Sequence, residues 1–343
     1  MIAPMNMTQN LSMSRALLAA MLALGGLVGT SSLSAQSVTT APVGAVSKTI
    51  SVGLNAVGIT LLNPDIIVAN ATANTASVIT LSGVTNVGAL LTSTLPYYVE
   101  AISGPLEGER FDVDVAATIT AANGTVVLAS ASSNNTFALA ADNAINSQFA
   151  LRQHVTVAQV QSYFTTALTA STTLNNADQI RIFNPSTGAF ITYQYRAANT
   201  WVQGASNVNN APIPPGVGIF FRKVGSPATM VMTGGVRTND FAMPMAAGLS
   251  FRAPGYPINY SPTSLGALTA NGWTFNNSSN LADQIRIFNP ATGAFITYFY
   301  RTSTAWVQGA TNVTTSEIIP FDSAYLLSRR TADTNYIVNA PAL

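Results

Sequence analysis

Residues 178–208 read DQIRIFNPSTGAFITYQYRAANTWVQGASNV, and residues 283–313 read DQIRIFNPATGAFITYFYRTSTAWVQGATNV. Since 283 minus 178 and 313 minus 208 both give 105, the copies align without a gap. Gapless self-similarity at a fixed spacing marks a duplicated structural unit. The stretch reads as a β-meander. Ile180 and Ile182 alternate with Arg181 and Phe183, a period of two that puts the isoleucines on one strand face. Asn184-Pro185-Ser186-Thr187-Gly188 then predicts a tight hairpin, because proline presets φ and glycine accepts the positive φ at which the chain re-enters the ladder. The return strand places Ile191, Tyr193 and Tyr195 on one face and Phe190, Thr192 and Gln194 on the other. A second turn near Asn199 leads into Thr200-Trp201-Val202-Gln203, and the second copy repeats each step through Ile285, Ile287, Tyr298, Tyr300 and Trp306.

The same spacing extends beyond the strong stretch. It sets Ile219-Phe220-Phe221 opposite Ala324-Tyr325-Leu326, and Thr229–Met232 opposite the segment 334–337. Upstream, Thr156–Val160 and Ser261–Leu265 both predict short helices with a hydroxyl N-cap, the second with Pro262 at its first helical position. The expected unit is a short helix followed by several strands.

Working outward to the N-terminus, Arg15 precedes an apolar run from Ala16 to Val28, and Leu33-Ser34-Ala35 ends in a small residue. That pattern predicts a signal peptide over residues 1–35, cleaved after Ala35. Its apolar run is shorter than the roughly 20 residues a transmembrane helix takes, and no second such run follows. Residues 36–150 read as an N-terminal β-domain, with strands expected at Val46–Leu62, Ser77–Leu81, Tyr97–Ile102, Arg110–Thr120 and Thr125–Leu128. An echo of Gly44–Leu61 in Gly234–Phe251 suggests a third, degenerate copy. The expectation is an all-β chain: an N-terminal β-domain, then two homologous β-meander or sandwich units at 151–245 and 246–343, each with a short helix.

Composition narrows the function classes. Without Arg15 the fourteen basic residues become thirteen, which balances the thirteen acidic ones. That balance argues against a nucleic-acid surface, which clusters Lys and Arg. The chain has no cysteine, so an exported form would rely on its apolar core rather than on disulfides. No cofactor-binding motif is present.

The repeated I-R-I-F-N-P-x-T-G-A-F-x-T-Y segment, Trp201, and Ile213-Pro214-Pro215-Gly216-x-Gly218-x-Phe220-Phe221 resemble a family of exported bacterial β-rich proteins of similar length with no established activity. The resemblance covers most of the chain after the leader and implies a β-sandwich element, through strand and turn motifs alone. The second copy departs from it where Phe321-Asp322-Ser323 stands opposite Gly216-Val217-Gly218.

Three sets of residues bear on chemistry. His154 is the single histidine, too few for a histidine zinc site, and reads as a surface or capping residue. Asp112 and Asp114 share a strand face with Arg110, about 7 Å apart, a spacing open to calcium, to a glycosidase pair, or to a solvated face balanced by Arg110. Tyr193, Tyr195, Trp201, Tyr298, Tyr300 and Trp306 read either as a stacking platform for sugars or as core. Asp178 and Asp283 recur with Arg181 and Arg286, which favours structural pairing. The function expected is a non-enzymatic structural or adhesive protein of the envelope or extracellular space, able to self-associate through sheet edges. A carbohydrate-binding protein stands second and a glycosidase third.

Overall fold

A computed structural model describes residues 42–130, 139–197, 199–333 and 336–342. The expected signal peptide lies outside these residues. The chain is all-β, built from antiparallel strands with two short α-helices among the described residues.

The quoted stretch folds as read. Strand Gln179–Asn184 pairs with Ala189–Ala197, Ile180 opposite Tyr193 and Ile182 opposite Ile191. At the turn the Asn184 side chain accepts from the Ser186 N–H at 3.0 Å, and Gly188 takes φ 67°. The second copy repeats the pairing, with Ile285 opposite Tyr298, Ala291 N–H on Asn289 at 3.0 Å, and Gly293 at φ 67°.

Each copy builds a six-stranded sheet in the same order. The first runs Ser206–Asn207, Thr200–Gln203, Ala189–Ala197, Gln179–Asn184, Ile219–Lys223, Gly53–Val57. The second runs Thr311–Asn312, Ala305–Gln308, Ala294–Thr302, Gln284–Asn289, Tyr325–Arg329, Gly248–Arg252. Ile180 faces Phe221 and Ile285 faces Leu327, so beyond the quoted stretch the match slips to 327 minus 221, or 106. The expected pairing of Ile219-Phe220-Phe221 with Ala324-Tyr325-Leu326 is therefore one residue off. The slip has a physical cause: a one-residue shift turns every side chain to the opposite face, and only the corrected match keeps Ile219 and Phe221, like Tyr325 and Leu327, in their cores.

The edge strand of the first sheet comes from far upstream. Gly53–Val57 pairs with Ile219–Lys223 as Gly248–Arg252 pairs with Tyr325–Arg329, and 248 minus 53 gives 195. Gly53 and Gly248 have φ of 98° and 94°, a region open to glycine and strained for other residues. One strand earlier, Val46 faces Met232 as Phe241 faces Val338, again at 195. Residues 43–57, expected within the N-terminal β-domain, thus pair with strands of 219–235. The echo of Gly44–Leu61 in Gly234–Phe251 has its basis here, with Gly53 rather than Gly58 matching Gly248.

What lies between is a closed sheet. Its order is Arg110–Asp112, Tyr97–Ser103, Gln148–Gln153, Asp65–Asn74, Val78–Leu81, Thr125–Val127. Val113 bridges Leu128, while the N–H groups of Asp114 and Ala129 donate to Val127 and Asp112, joining the two outer strands into a barrel. Closure leaves it no open edge. Ile79, Val99, Phe111, Val126, Phe149 and Leu151 fill its interior, at about 1.5–3 kcal/mol per large side chain. The strand expected over Arg110–Thr120 ends at Asp112, because the Asp114 carboxylate accepts from the Ala117 N–H at 3.0 Å and caps the helix Val115–Thr120. The helix expected from Thr156 runs Val157–Ser162 with that cap. Its counterpart at Ser261 is a single hydrogen-bonded turn, stopped by Gly266 at φ 75°.

The two sheets pack outer face to outer face through Phe183, Phe220, Phe251, Phe288 and Leu326, with Phe220 and Phe251 stacked at 4.5 Å. Matched backbone bonds cross this seam: Gly58 N–H to Asp322 O at 3.0 Å, and Ala253 N–H to Gly216 O at 2.9 Å. A Cβ on Gly218 would lie 2.5 Å from that of Ala324, so the approach of the chains requires glycine there.

Behind each sheet a buried carboxylate is paired. Asp178 accepts from Lys223 Nζ at 2.9 Å and from the N–H groups of Thr169 and Val224. Asp283 accepts from the N–H groups of Thr274 and Arg330 and lies 3.2 Å from Nη1 of Arg329, whose guanidinium covers Trp273 at 4.1 Å. Their partners are Lys223 and Arg329, themselves matched at 106, and not the expected Arg181 and Arg286. Asp178→Ala leaves Lys223 as an uncompensated buried cation and should cost about 3–5 kcal/mol in urea unfolding. Adding Lys223→Met should restore the part of that loss due to the unpaired cation, the Thr169 and Val224 N–H groups still lacking their acceptor, and a double variant as unstable as the single one would contradict the pairing.

Candidate functional site

The densest constellation of ionisable groups forms around Glu100. In the strand Tyr97–Ser103 it is the one charged residue among apolar and aromatic neighbours, and it is fully buried. A buried carboxylate persists only when paired and hydrogen-bonded. Arg152 Nη1 reaches Glu100 Oε2 at 2.5 Å, and Arg237 Nε reaches Oε1 at 2.8 Å. Asn239 Nδ2 adds a bond at 3.3 Å. Arg152 also donates Nε to Asp65 at 2.5 Å, and Arg237 donates Nη1 to the Gly255 carbonyl at 2.8 Å. Phe241 lies between two guanidiniums, Arg110 at 4.2 Å and Arg237 at 4.4 Å from its ring centre. Arg110 Nη2 donates to the Ala242 carbonyl at 2.8 Å.

The network has one consistent electrostatic logic. Burial by itself would raise the Glu100 pKa, but Arg237 and then Arg152 outweigh it and hold the carboxyl at about 2. Burial lowers Arg110 to about 10, with Glu100 opposing that fall. Burial raises the Tyr98 hydroxyl, and the Glu100 charge adds to the rise. The members come from two places: Asp65, Glu100, Arg110 and Arg152 from strands of the barrel, and Arg237, Asn239 and Phe241 from the segment leading into the second sheet. Glu107 extends the joint by accepting from the Asp240 N–H at 3.1 Å, and Asp240 accepts from Ala340 N–H at 2.9 Å.

Beside the network lies a cavity of about 20 Å³ lined by Thr60, Tyr98, Gln153, Arg237 and Pro254, among others. That is room for one water molecule, and Thr60 Oγ1 there is buried without a protein partner.

The residues singled out from the sequence have other employments. His154 is buried rather than on the surface; its Nε2 lies 2.8 Å from Asp112 Oδ1, its ring is 4.6 Å from that of Tyr98, and its Nδ1 has no protein partner. A histidine at 2% exposure can orient a carboxylate but meets no substrate. Asp112 and Asp114 do not converge: Asp112 serves His154 and Asp114 caps a helix. Among the described residues no three His, Asp or Glu side chains gather as a metal site would need. Tyr193, Tyr195, Trp201, Tyr298, Tyr300 and Trp306 lie in the two cores at 9% exposure or less, so they present no ring face to a sugar. Trp306 Nε1 donates to the Ala267 carbonyl at 2.7 Å and Trp201 Nε1 to Gln161 at 3.2 Å, the usual provision for a buried indole.

Sequence reasoning missed Glu100. The signal was present: a lone glutamate in Tyr-Tyr-Val-Glu-Ala-Ile and a lone arginine in Phe-Ala-Leu-Arg-Gln are each too polar for a buried strand unless they meet. No family model matches the chain, and no curated protein and no solved structure matches it either.

Because the Glu100 pKa is depressed on folding, its stabilisation is present above the ordinary carboxylate value near 4.5 and fades as pH falls toward about 2. Urea midpoints measured from pH 7 to pH 2 should decline over that window. Glu100→Gln should lower the pH 7 midpoint by leaving Arg237 and Arg152 less compensated, and should flatten the decline; an unchanged profile would contradict the network.

Proposed function

We propose that this is a non-enzymatic, exported structural or adhesive protein of the cell envelope or extracellular space. The observation that carries the reading is the use made of buried charge. Glu100, Arg152 and Arg237 join the barrel to the segment between the two sheets, and the Asp178 and Asp283 pairs brace the sheets themselves. Such joints suit a rigid body that holds surfaces in fixed relation. The leader pattern, the charge balance and a surface rich in hydroxyl and amide groups support placement outside the cytoplasm.

On the same reading the chain is a tandem of two homologous β-units, the first interrupted by the barrel. The shared spacing of 195 before the interruption and the matched pairings after it support this. Self-association has short open edges to use, Ser206–Asn207 and Thr311–Asn312, since the opposite edges bond across the seam.

Fractionation with N-terminal sequencing tests the proposal. A chain beginning at Gln36 in the periplasmic, surface or medium fraction is the expected result. An uncleaved cytoplasmic protein, or a strictly monomeric one by light scattering that adheres to no envelope material, would overturn it.

A further inference from the structure

The outer faces of the two sheets carry one constellation twice, its phenyl rings in the seam where the sheets meet, and the buried ion pairs use none of its arginines. On the first sheet Arg181 stands across the ladder from Thr192, and Phe183 from Phe190, so strand alternation puts all four with Gln179 on one face. Arg181 donates Nε and Nη2 to Gln179 Oε1 at 3.1 and 2.8 Å. Gln179 is fully buried and is itself held by the Leu174 carbonyl at 2.6 Å. The second sheet repeats this: Arg286 donates Nε and Nη2 to Gln284 Oε1 at 2.8 and 2.5 Å, and Gln284 donates to Ser279 O at 2.5 Å. Arg286 stands across from Thr297.

Both guanidiniums are thus locked by a buried amide, and among the described residues neither has a carboxylate within ion-pairing distance. Their Nη1 groups have no protein acceptor there. Two residues from each threonine stands a phenyl ring, Phe190 or Phe295, each 37% exposed, with its remaining surface packed on the seam rings Phe183, Phe220 and Phe251 or Phe220 and Phe288. The first sheet adds Arg222, opposite Gln179 and anchored by its Nη1 on Asn175 O at 2.9 Å, where the second has Ser328. Burial, and then the charge of Arg222, lower the Arg181 pKa. Two half-buried cations without a counter-charge are stabilised by any anion that reaches both.

We propose that these two faces bind an acidic polysaccharide, the carboxylate of a uronic acid on the Arg181 and Arg286 forks and the apolar side of its sugar ring on Phe190 and Phe295. A fixed planar fork matches a carboxylate in two-pronged fashion, and the threonine hydroxyl supplies a further hydrogen bond. Arg222 makes the first face the stronger. The sites deepen the adhesive reading above, but they belong to the purified chain wherever it is found, so a failure of localisation and a failure of binding are separate results.

The test is calorimetric titration of the full chain with polygalacturonate, with a sulfated glycosaminoglycan, neutral dextran and inorganic phosphate as the other arms. Binding to polygalacturonate that weakens with salt is expected. Arg181→Gln and Arg286→Gln should each weaken it about tenfold and the pair about a hundredfold, as linked sites do. Arg222→Ser should weaken binding at the first face alone, and Arg181→Lys should fall between wild type and Arg181→Gln. Phe190→Ala with Phe295→Ala leaves every charge in place but thins the phenyl seam; it should also weaken binding, with thermal scans showing whether each variant is folded. Binding unaffected by these variants, no binding to polygalacturonate, or preference for dextran, phosphate or the sulfated chain would overturn the proposal.

Discussion

The ladder between Gly53–Val57 and Ile219–Lys223 is the constraint on which the rest depends. It completes the first sheet with a strand drawn from the start of the described chain, so everything between must leave that sheet and come back to nearly the same place. The barrel meets this condition. Asn63, before its first strand, donates Nδ2 to the carbonyl of Gln153 at 3.0 Å, at the end of its last, and exchanges amide bonds with Gln159 on the adjoining helix. Adjacent ends are what allow one domain to sit inside another without disturbing the host. The end of the same ladder sets Lys223 opposite Gly53, and Lys223 is the cation that neutralises Asp178.

Apolar and ionic contacts divide the work between inside and between. Each body has its own aliphatic and aromatic core, and the two sheets meet through phenyl rings on faces that would otherwise be wet. The join to the barrel is different, because Glu100 is desolvated there along with Arg152 and Arg237. Buried ion pairs contribute little net stability compared with well-packed apolar groups, while a mismatched arrangement costs several kcal/mol, about 3–5 when one partner is missing. The network therefore fixes which surface meets which more than it adds to cohesion, and Phe241 between two guanidiniums sets the same register with an apolar ring.

Much of the sheet architecture was legible because local rules decided it. The Asn-Pro-x-Thr-Gly turns, the alternation through Ile180, Ile182, Tyr193 and Tyr195, and the all-β class all follow from turn chemistry and a period of two. The interruption was not legible, since the pairing of Val57 with Ile219 joins residues 162 apart in sequence and no local preference encodes it. The fates of Asp114 and His154 escaped for a related reason: whether a carboxylate faces solvent, caps a helix or meets an imidazole depends on which strand lies beside it. The ring platform failed on burial. Alternation assigns Tyr193 and Tyr195 to a face, but only the packing of the sheet against its helix and flanking strands makes that face the interior. The buried pairs were half legible: recurrence marked Asp178 and Asp283 as structural, and the one-residue slip hid their partners.

Native-state hydrogen exchange on the full chain tests the interrupted first sheet most directly. The account predicts that amides of Gly53–Val57 exchange in step with those of Ile219–Lys223 and Gln179–Asn184, and separately from Tyr97–Ser103 and Gln148–Gln153 in the barrel. Exchange of Gly53–Val57 together with the barrel strands, and independently of Ile219–Lys223, would contradict it.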